Sequence, residues 1–222
     1  MLLRLVPSSI YFNFKYLPVK QAIKIPIFIY KPDFQRIRGE VKITANHIFT
    51  GMIRLGMRST CLFPNNGIMW NVEGRVVFKG TCSIGNDSNI LCGASGKITF
   101  GENFIATGGV RIASYRNMTF GDNVLIGWGS VILDTDFHPL YDINKGEYKK
   151  ACGDVFIGDS NWFACYCTVL NSVTTPENCV FGARSLVTRS CNYLPNSLYV
   201  GNPVKLVKQG VRLDVKKRSI DY

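Results

Sequence analysis

Histidine is scarce in this sequence, which has only His47 and His138 among 222 residues. A zinc centre held by three histidines is therefore excluded, and no metal site is expected. The eight cysteines include no C-x-x-C pair, and the chain is too long for a small disulfide scaffold. With no secretion signal evident, this predicts a reducing, cytoplasmic setting in which cysteines serve as small hydrophobic residues.

Long apolar runs are also missing. No uninterrupted stretch reaches the ~18 residues that a membrane-spanning helix needs. The apolar N-terminus is broken by Arg4, Lys15, Lys20 and Lys24, and it has neither a clean apolar region nor a small-residue cleavage site. We therefore do not interpret it as a signal peptide.

Acidic residues are in deficit, and the formal net charge is +11. The excess lies at the ends: residues 1–45 hold eight Lys or Arg against two acids, and residues 201–222 hold six against two. The middle is nearly neutral and carries no zinc-finger or RNA-binding motif, so no nucleic-acid partner is expected. Charged ends suit anionic lipid, a phosphorylated ligand or plain solubility equally well.

A six-residue repeat occupies the middle of the chain. Fourteen hexads can be aligned from "IGNDSN" at residue 84 to "VTRSCN" at residue 187. Their first position is apolar in thirteen, with Thr175 the exception, and their second is Gly or Ala in eight, where composition alone would give about two. The fifth position is often small, which gives Cys167 and Cys179 a packing role.

This period predicts short strands separated by turns, with three strands to a coil and the first position pointing inward. No single coil can bury its apolar face, so coils must stack. We predict an all-β protein, a parallel β-helix of hexapeptide repeats over residues 46–202. A loop over 139–153 leaves the helix, and a helix or basic tail follows over 203–222. Residues 10–31 are compatible with one or two short helices ended by Pro26 and Pro32.

The N-terminal segment, residues 1–45, allows two interpretations. Its aromatic residues alternate with lysines, which suits peripheral contact with an anionic membrane surface. The alternative, which we favour, is a cap that shields the open end of the β-helix. Both can hold at once.

Four elements occur in order: "GDNVLIGWGSVILDTDFHP", "VFIGDSNW", "FGARSLVTR" and "LPNSLYVGNPVKLVK". This pattern resembles the hexapeptide-repeat acyltransferases, a left-handed β-helix family, over about residues 76–208. It looks most like the O-acetyltransferases of polysaccharide biosynthesis, including capsule and O-antigen enzymes. The resemblance implies acetyl-CoA as co-substrate, a sugar or glycan acceptor, and a homotrimer with each active site between neighbouring β-helices.

Site residues follow from the same resemblance. His138 matches the catalytic histidine. Cys165 matches a residue lining the pantetheine channel, and Ala183 matches one whose backbone contacts the pantetheine arm. Basic or polar residues on the coenzyme side are matched by Thr188, Arg189, Lys205 and Lys208.

Chemistry supports His138 as a general base, because imidazole titrates near neutrality and can take the proton of an attacking hydroxyl. Asp136 or Asp134 could orient the ring through its other nitrogen. The plain alternative for His138 is a polar residue at a loop start before Pro139, and for Asp136 a loop cap. His47 lies in a poorly patterned region and is interpreted as structural.

The sequence therefore predicts an acetyl-CoA-dependent O-acetyltransferase that acts by direct transfer, with no acyl-enzyme. Two alternatives stay open: an N-acetyltransferase of an amino-sugar nucleotide, and a non-catalytic β-helix scaffold. Departures from the family pattern, such as the hexad "TPENCV", keep the scaffold in consideration.

Overall fold

Residues 2–214 are described by a computed structural model. It confirms the predicted fold class, a parallel β-helix of stacked three-strand coils. The chain visits three sheets in turn, named here A, B and C. Neighbouring coils pair in parallel register, as Ile112 does with Ile90 on one side and Ile132 on the other.

The strands are as follows, in sheet order. Sheet A contains β1 (Ile27–Ile29), β4 (Ile53–Met57), β7 (Cys82–Gly85), β10 (Phe104–Ala106), β13 (Leu125–Ile126), β18 (Trp162–Phe163), β21 (Cys179–Phe181), β23 (Ser197–Gly201) and β24 (Val204–Gln209). Sheet B contains β2 (Pro32–Ile37), β5 (Ile68–Val72), β8 (Ser88–Cys92), β11 (Arg111–Ser114), β14 (Val131–Leu133), β19 (Thr168–Val169) and β22 (Leu186–Val187). Sheet C contains β3 (Glu40–Ile43), β6 (Arg75–Phe78), β9 (Lys97–Phe100), β12 (Asn117–Phe120), β17 (Val155–Ile157) and β20 (Thr174–Thr175).

Each A–B–C round is one coil. Coils 1 to 4 are β1–β3, β4–β6, β7–β9 and β10–β12, coil 5 is β13, β14 and β17, coil 6 is β18–β20, and coil 7 is β21 and β22. The loop of coil 5 holds a two-stranded antiparallel hairpin, β15 (Tyr141–Asp142) with β16 (Glu147–Tyr148). The predicted loop therefore has structure of its own.

The core is built from the first hexad position, which is buried in all fourteen hexads, Thr175 included. Aromatic rings stack along this axis: Phe100 lies 5.3 Å from Phe78 and 5.5 Å from Phe120, and Phe163 lies 4.5 Å from Phe181. Each fully buried aromatic ring contributes about 1.5–3 kcal/mol. Since each ring needs its counterpart in the next coil, the coils depend on one another for their core.

The backbone conformation at the corners is set at the fourth hexad position. In ten of the fourteen hexads this residue has a positive φ, near 60° to 70°. Those residues are Asp87, Asn103, Gly109, Asn123, Gly129, Ser160, Tyr166, Ser172, Asn178 and Arg184. Gly, Asn and Asp adopt this conformation at least cost, so they are frequent there. The four exceptions all follow a sheet B strand.

The N-terminal end is covered by α1 (Leu2–Tyr16), followed by the short α2 (Val19–Ala22). Buried polar side chains of α1 satisfy the open edge of β1: the Asn13 amide bonds both the N–H and the carbonyl of Ile27, and Ser9 Oγ accepts from Ile29 N–H. This is the cap arrangement favoured above. No helix within residues 2–214 is long and apolar enough to cross a membrane.

Two boundaries differ from expectation. The first coil already lies within residues 27–43, ahead of the boundary expected at residue 46, because its exposed positions are charged and hide the repeat. At the other end, a helix or basic tail is expected over residues 203–222, but in the described part β24 pairs antiparallel with β23 and covers the otherwise open edge of sheet A. The rest of that segment, residues 215–222, lies outside the described residues.

Candidate functional site

His138 lies on the B–C edge, the corner where the chain passes from sheet B to sheet C. In coils 1 to 4 a ladder of backbone hydrogen bonds runs along this edge, for example from Arg75 N–H to Gly96 O (3.0 Å) and from Lys97 N–H to Arg116 O (2.8 Å). In coil 5 the corner is replaced by residues 134–154, which include the loop. The loop therefore interrupts a regular ladder at this point.

The Asp134 side chain takes the place of the missing backbone acceptors. Its carboxylate is fully buried and accepts three hydrogen bonds from coil 4: Ser114 Oγ at 2.6 Å, Tyr115 N–H at 2.7 Å and Arg116 N–H at 2.9 Å. The side chain thus supplies the acceptors that a corner backbone would have offered. Because these bonds engage the carboxylate with coil 4, the structure gives Asp134 this role and not that of orienting His138.

A tight turn then presents His138 to solvent. The His138 N–H donates to the Asp136 carbonyl oxygen at 2.7 Å, and Phe137 between them has φ 59°. An i to i+2 bond around a residue of positive φ is a strained γ-turn, and a bulky residue adopts such a φ at a cost of about 1–2 kcal/mol. Strain of this kind is concentrated at functional sites. Here it holds an exposed imidazole at the foot of the loop.

Asp136 lies beside Asn171 of coil 6. Asn171 Nδ2 donates to Asp136 Oδ1 at 2.7 Å, and Ser172 Oγ donates to Asn171 Oδ1 at 3.1 Å. The backbone N–H of Asp136 donates to Ala151 O at 2.7 Å, which closes the base of the loop. Orientation of the histidine by Asp136 stays a prediction, and the loop-closing contacts show what else the residue does.

The remaining predicted residues fall on two different edges. Thr188 and Arg189 follow β22 on the B–C edge of coil 7. Cys165 and Ala183 lie on the A–B edge, the corner between sheets A and B, where Cys165 O accepts from Arg184 N–H at 2.9 Å. On β24 the lysines Lys205 and Lys208 are exposed. One chain therefore does not bring His138 and the Cys165 corner to the same edge.

The buried cysteines are poor nucleophiles. Burial raises the pKa of the Cys167 thiol to about 11 and that of Cys179 to about 12. Cys167 Sγ also lies 3.2 Å from Gly182 O, in a packed position. Both thiols are protonated at neutral pH, which agrees with the predicted packing role. Among the described residues, no group of three His, Cys, Asp or Glu side chains is placed to hold a metal ion.

Three contributors to this site were not predicted: Asn171, Tyr115 and Phe137. Tyr115 and Phe137 are exposed and meet edge to face, with ring centroids 5.8 Å apart. A sequence signal for Phe137 exists, since "DTDFHP" breaks the hexad phase and puts an aromatic residue beside the histidine. Nothing in the sequence marks Asn171, because its role depends on coil stacking.

Comparisons with known proteins support this description in part. No family model matches the chain. A protein of Staphylococcus aureus (strain Mu50) named as an acetyltransferase is 40% identical over 75 residues, 34% of this chain and 37% of that protein. The galactoside O-acetyltransferase of Escherichia coli (strain K12) is 30% identical over 112 residues, 50% of this chain and 54% of that protein. The chain thus spans between about a third and a half of these curated relatives.

Two solved structures match the chain more weakly. The polySia-specific acetyltransferase NeuO matches with a TM-score of 0.48 and 16% identity, over 82% of each chain. A galactoside acetyltransferase in complex with coenzyme A matches with a TM-score of 0.44 and 17% identity, over 99% of this chain and 84% of the other. The architecture rests on the sheet topology of this chain and not on these superpositions.

The hexads, the stacked coils and the curated relatives agree on a class: a hexapeptide-repeat β-helix protein with acetyltransferase relatives. Over these matched parts the chain is similar to curated acetyltransferases.

Proposed function

We propose that the protein is an acetyl-CoA-dependent O-acetyltransferase acting on a hydroxyl of a sugar or a polysaccharide precursor, such as a capsule or O-antigen unit. The observation that carries this proposal is the placement of His138. A strained turn holds its imidazole in solvent where the loop leaves the β-helix. Such a position gives an acceptor access to the ring.

The chemistry assigned to His138 is that of a general base. Its free ring nitrogen accepts the proton of the acceptor hydroxyl as the oxygen forms a bond to the acetyl carbonyl carbon. The bond from that carbon to sulfur then breaks, and the imidazolium returns the proton to the thiolate, so no acyl-enzyme is needed. Asn171 holds Asp136 and with it the turn that carries the ring.

The coenzyme side is assigned to the last coils and the strands that close them. Exposed cations, Arg184, Arg189, Lys205 and Lys208, lie in this part and suit the phosphates of coenzyme A. Cys165 and Ala183, on the neighbouring A–B edge, fit the predicted pantetheine channel. Arg184 also covers the Tyr166 ring at 5.2 Å, which fixes the outer surface of that edge.

The separation of the two edges supports a homotrimer. The predicted site is complete only if the B–C edge of one chain faces the A–B edge of another, so we propose that active sites form between chains. Sedimentation equilibrium tests this directly, with about three times the 24.8 kDa chain mass expected. A monomer that is active at all concentrations would contradict it.

Two features support a cytoplasmic location with peripheral membrane contact. All eight cysteines are free, which suits the reducing cytoplasm. In α1 the exposed apolar residues Val6, Ile10 and Phe14 are spaced four residues apart, and Val19 and Ile23, in and just after α2, are exposed as well. Lys15, Lys20 and Lys24 in the same segment are also exposed. We propose that these residues make peripheral contact with an anionic membrane while the inner face caps the β-helix.

Coenzyme A binding tests the enzyme proposal. Calorimetry is expected to show that the protein binds coenzyme A. A thiol assay is then expected to show that sugar acceptors release free coenzyme A from acetyl-CoA. Acetylation of amino-sugar nucleotides alone would favour the N-acetyltransferase alternative. Absence of both binding and thiol release would support a non-catalytic scaffold.

A further inference from the structure

An open polar groove runs along the B–C edge below His138. It encloses about 500 Å³ and is lined by residues of coils 1 to 4. The charged and polar lining residues are Arg38, Glu40, Glu73, Arg75, Ser95, Lys97 and Asn117. From coil 1 to coil 5 the edge covers four strand spacings of about 4.8 Å, roughly 19 Å in all, which is longer than one sugar ring.

Glycines at the bottom of this groove leave it without side chains at those positions. A Cβ on Gly74 would collide with the backbone of coil 3, and one on Gly96 would collide with Ser114 O. The coils therefore pack closely at this corner, and no side chain fills the trough there. Since the glycines leave room, the lining side chains stand along the sides of the groove.

Two ion pairs at the groove join neighbouring coils. Arg75 Nε lies 2.6 Å from Glu40 Oε2, and Arg36 Nη1 lies 2.6 Å from Glu73 Oε2. These pairs are largely exposed, so they add little stability. They do offer a row of fixed donors and acceptors of both signs, which fits the hydroxyls of a glycan better than the one-sign charge of a nucleic acid.

An aromatic pair lies between this groove and His138. Tyr115 belongs to the corner of coil 4 and its ring lies over Gly93, while Phe137 belongs to coil 5. Both side chains are well exposed, at 42% and 48%. Phe137 keeps its exposed position in spite of backbone strain. An exposed aromatic pair held beside a candidate base fits the apolar C–H face of a sugar ring.

We infer that the B–C edge of coils 1 to 5 binds a glycan chain rather than a single sugar. Tyr115 and Phe137 pack against the ring whose hydroxyl meets His138, and the lower coils hold further units. This inference rests on the proposed function and names the acceptor class for the same site.

The test uses labelled acetyl-CoA and a fixed set of acceptors: glucose, galactose and N-acetylglucosamine, each with a linear homotetrasaccharide. For any sugar that is acetylated, kcat/KM of wild type is expected to be at least tenfold higher for the tetramer. In Tyr115→Ala and Phe137→Ala the value for the tetramer falls at least tenfold, while KM for acetyl-CoA is unchanged. Tyr115→Phe retains the preference.

Phe156→Ala is the matched control, because Phe156 lies on sheet C with the same 48% exposure as Phe137. It is expected to leave the tetramer preference intact. Equal kcat/KM for monomer and tetramer in wild type, or unchanged tetramer kinetics in both alanine variants, overturns the inference and leaves the acetyltransferase proposal standing. No transfer to any acceptor, together with no coenzyme A binding, overturns the proposed function itself and the inference with it.

Discussion

Asp134 and Ser114 are joined by a buried 2.6 Å hydrogen bond between carboxylate Oδ2 and Oγ, across two neighbouring coils. With the N–H groups of Tyr115 and Arg116, this bond continues the corner ladder where the chain leaves for the loop. The loop over residues 139–153 is thereby attached to a regular part of the β-helix. The stability of the fold and the geometry of the candidate site therefore both depend on the Asp134 carboxylate.

Replacing Asp134 is expected to destabilise the fold. Asp134→Ala leaves three buried or partly buried donors without their acceptor, at a cost of roughly 3 kcal/mol in the free energy of unfolding. Urea unfolding followed by circular dichroism measures it. Asp154→Ala serves as control, because Asp154 is exposed and its ion pair with Arg116 is expected to contribute under about 1 kcal/mol. Equal effects of the two substitutions would contradict this role for Asp134.

The strain at Phe137 has a separate consequence. Glycine accepts a positive φ freely, so Phe137→Gly is expected to raise the free energy of unfolding by up to about 1 kcal/mol. The same substitution removes the ring and should weaken acceptor use. Thermal unfolding beside the kinetic assay shows both effects. A loss of more than about 1 kcal/mol would show that the turn is not strained.

The buried thiols give a pH dependence at the alkaline end. Burial raises the pKa of Cys92 and Cys167 to about 11 from the value of 9.0 for a free thiol. Below pH 9 both states keep these protons, and stability is unaffected. Above it the unfolded chain releases protons that the folded chain retains, so stability falls as pH rises from 9 to 11.

Urea midpoints at pH 8, 10 and 11 measure this fall. Cys167→Val removes one of the raised thiols, so its midpoint is expected to depend less steeply on pH than that of wild type. Identical slopes for the two proteins would exclude Cys167 as a contributor.

The exposed face of α1 predicts binding to anionic vesicles. Wild type is expected to sediment with phosphatidylcholine vesicles containing a third phosphatidylglycerol and to remain largely free with phosphatidylcholine alone. Ile10→Glu and Phe14→Glu together should reduce the amount of bound protein at least fivefold. The double variant loses two apolar side chains that would insert into the membrane, and it gains two negative charges that anionic lipid repels. Phe156→Glu, away from α1, is the control. Equal binding by all three proteins would remove the membrane proposal.

Much of the architecture could be predicted because the repeat reports directly on burial. The first hexad position points inward throughout, and Phe78, six residues before the first hexad, is also fully buried. The fourth position carries a further signal, because Asp87, Asn103 and Asn123 are residue types that adopt a positive φ readily. This signal predicts the corners of the coils.

Other features depend on contacts between coils and leave no local signal. Asn171 meets Asp136 only because coil 6 stacks on coil 5. Asp134 and Asp136 have the same side chain two residues apart, yet Asp134 is buried against coil 4 and Asp136 is exposed. β24 could not be distinguished from a helix, because its pairing partner on β23 determines its conformation.

The central claim is that His138 is the base, and the chain provides its own control in His47, which is exposed and lies 5.8 Å from the Phe49 ring. The measurement is the rate of thiol release from acetyl-CoA in the presence of an acceptor, for wild type, His138→Ala and His47→Ala. We expect a loss of at least 100-fold in kcat for His138→Ala with coenzyme A binding retained, and a rate within twofold of wild type for His47→Ala. Full activity in His138→Ala would contradict the assignment of His138 as the base.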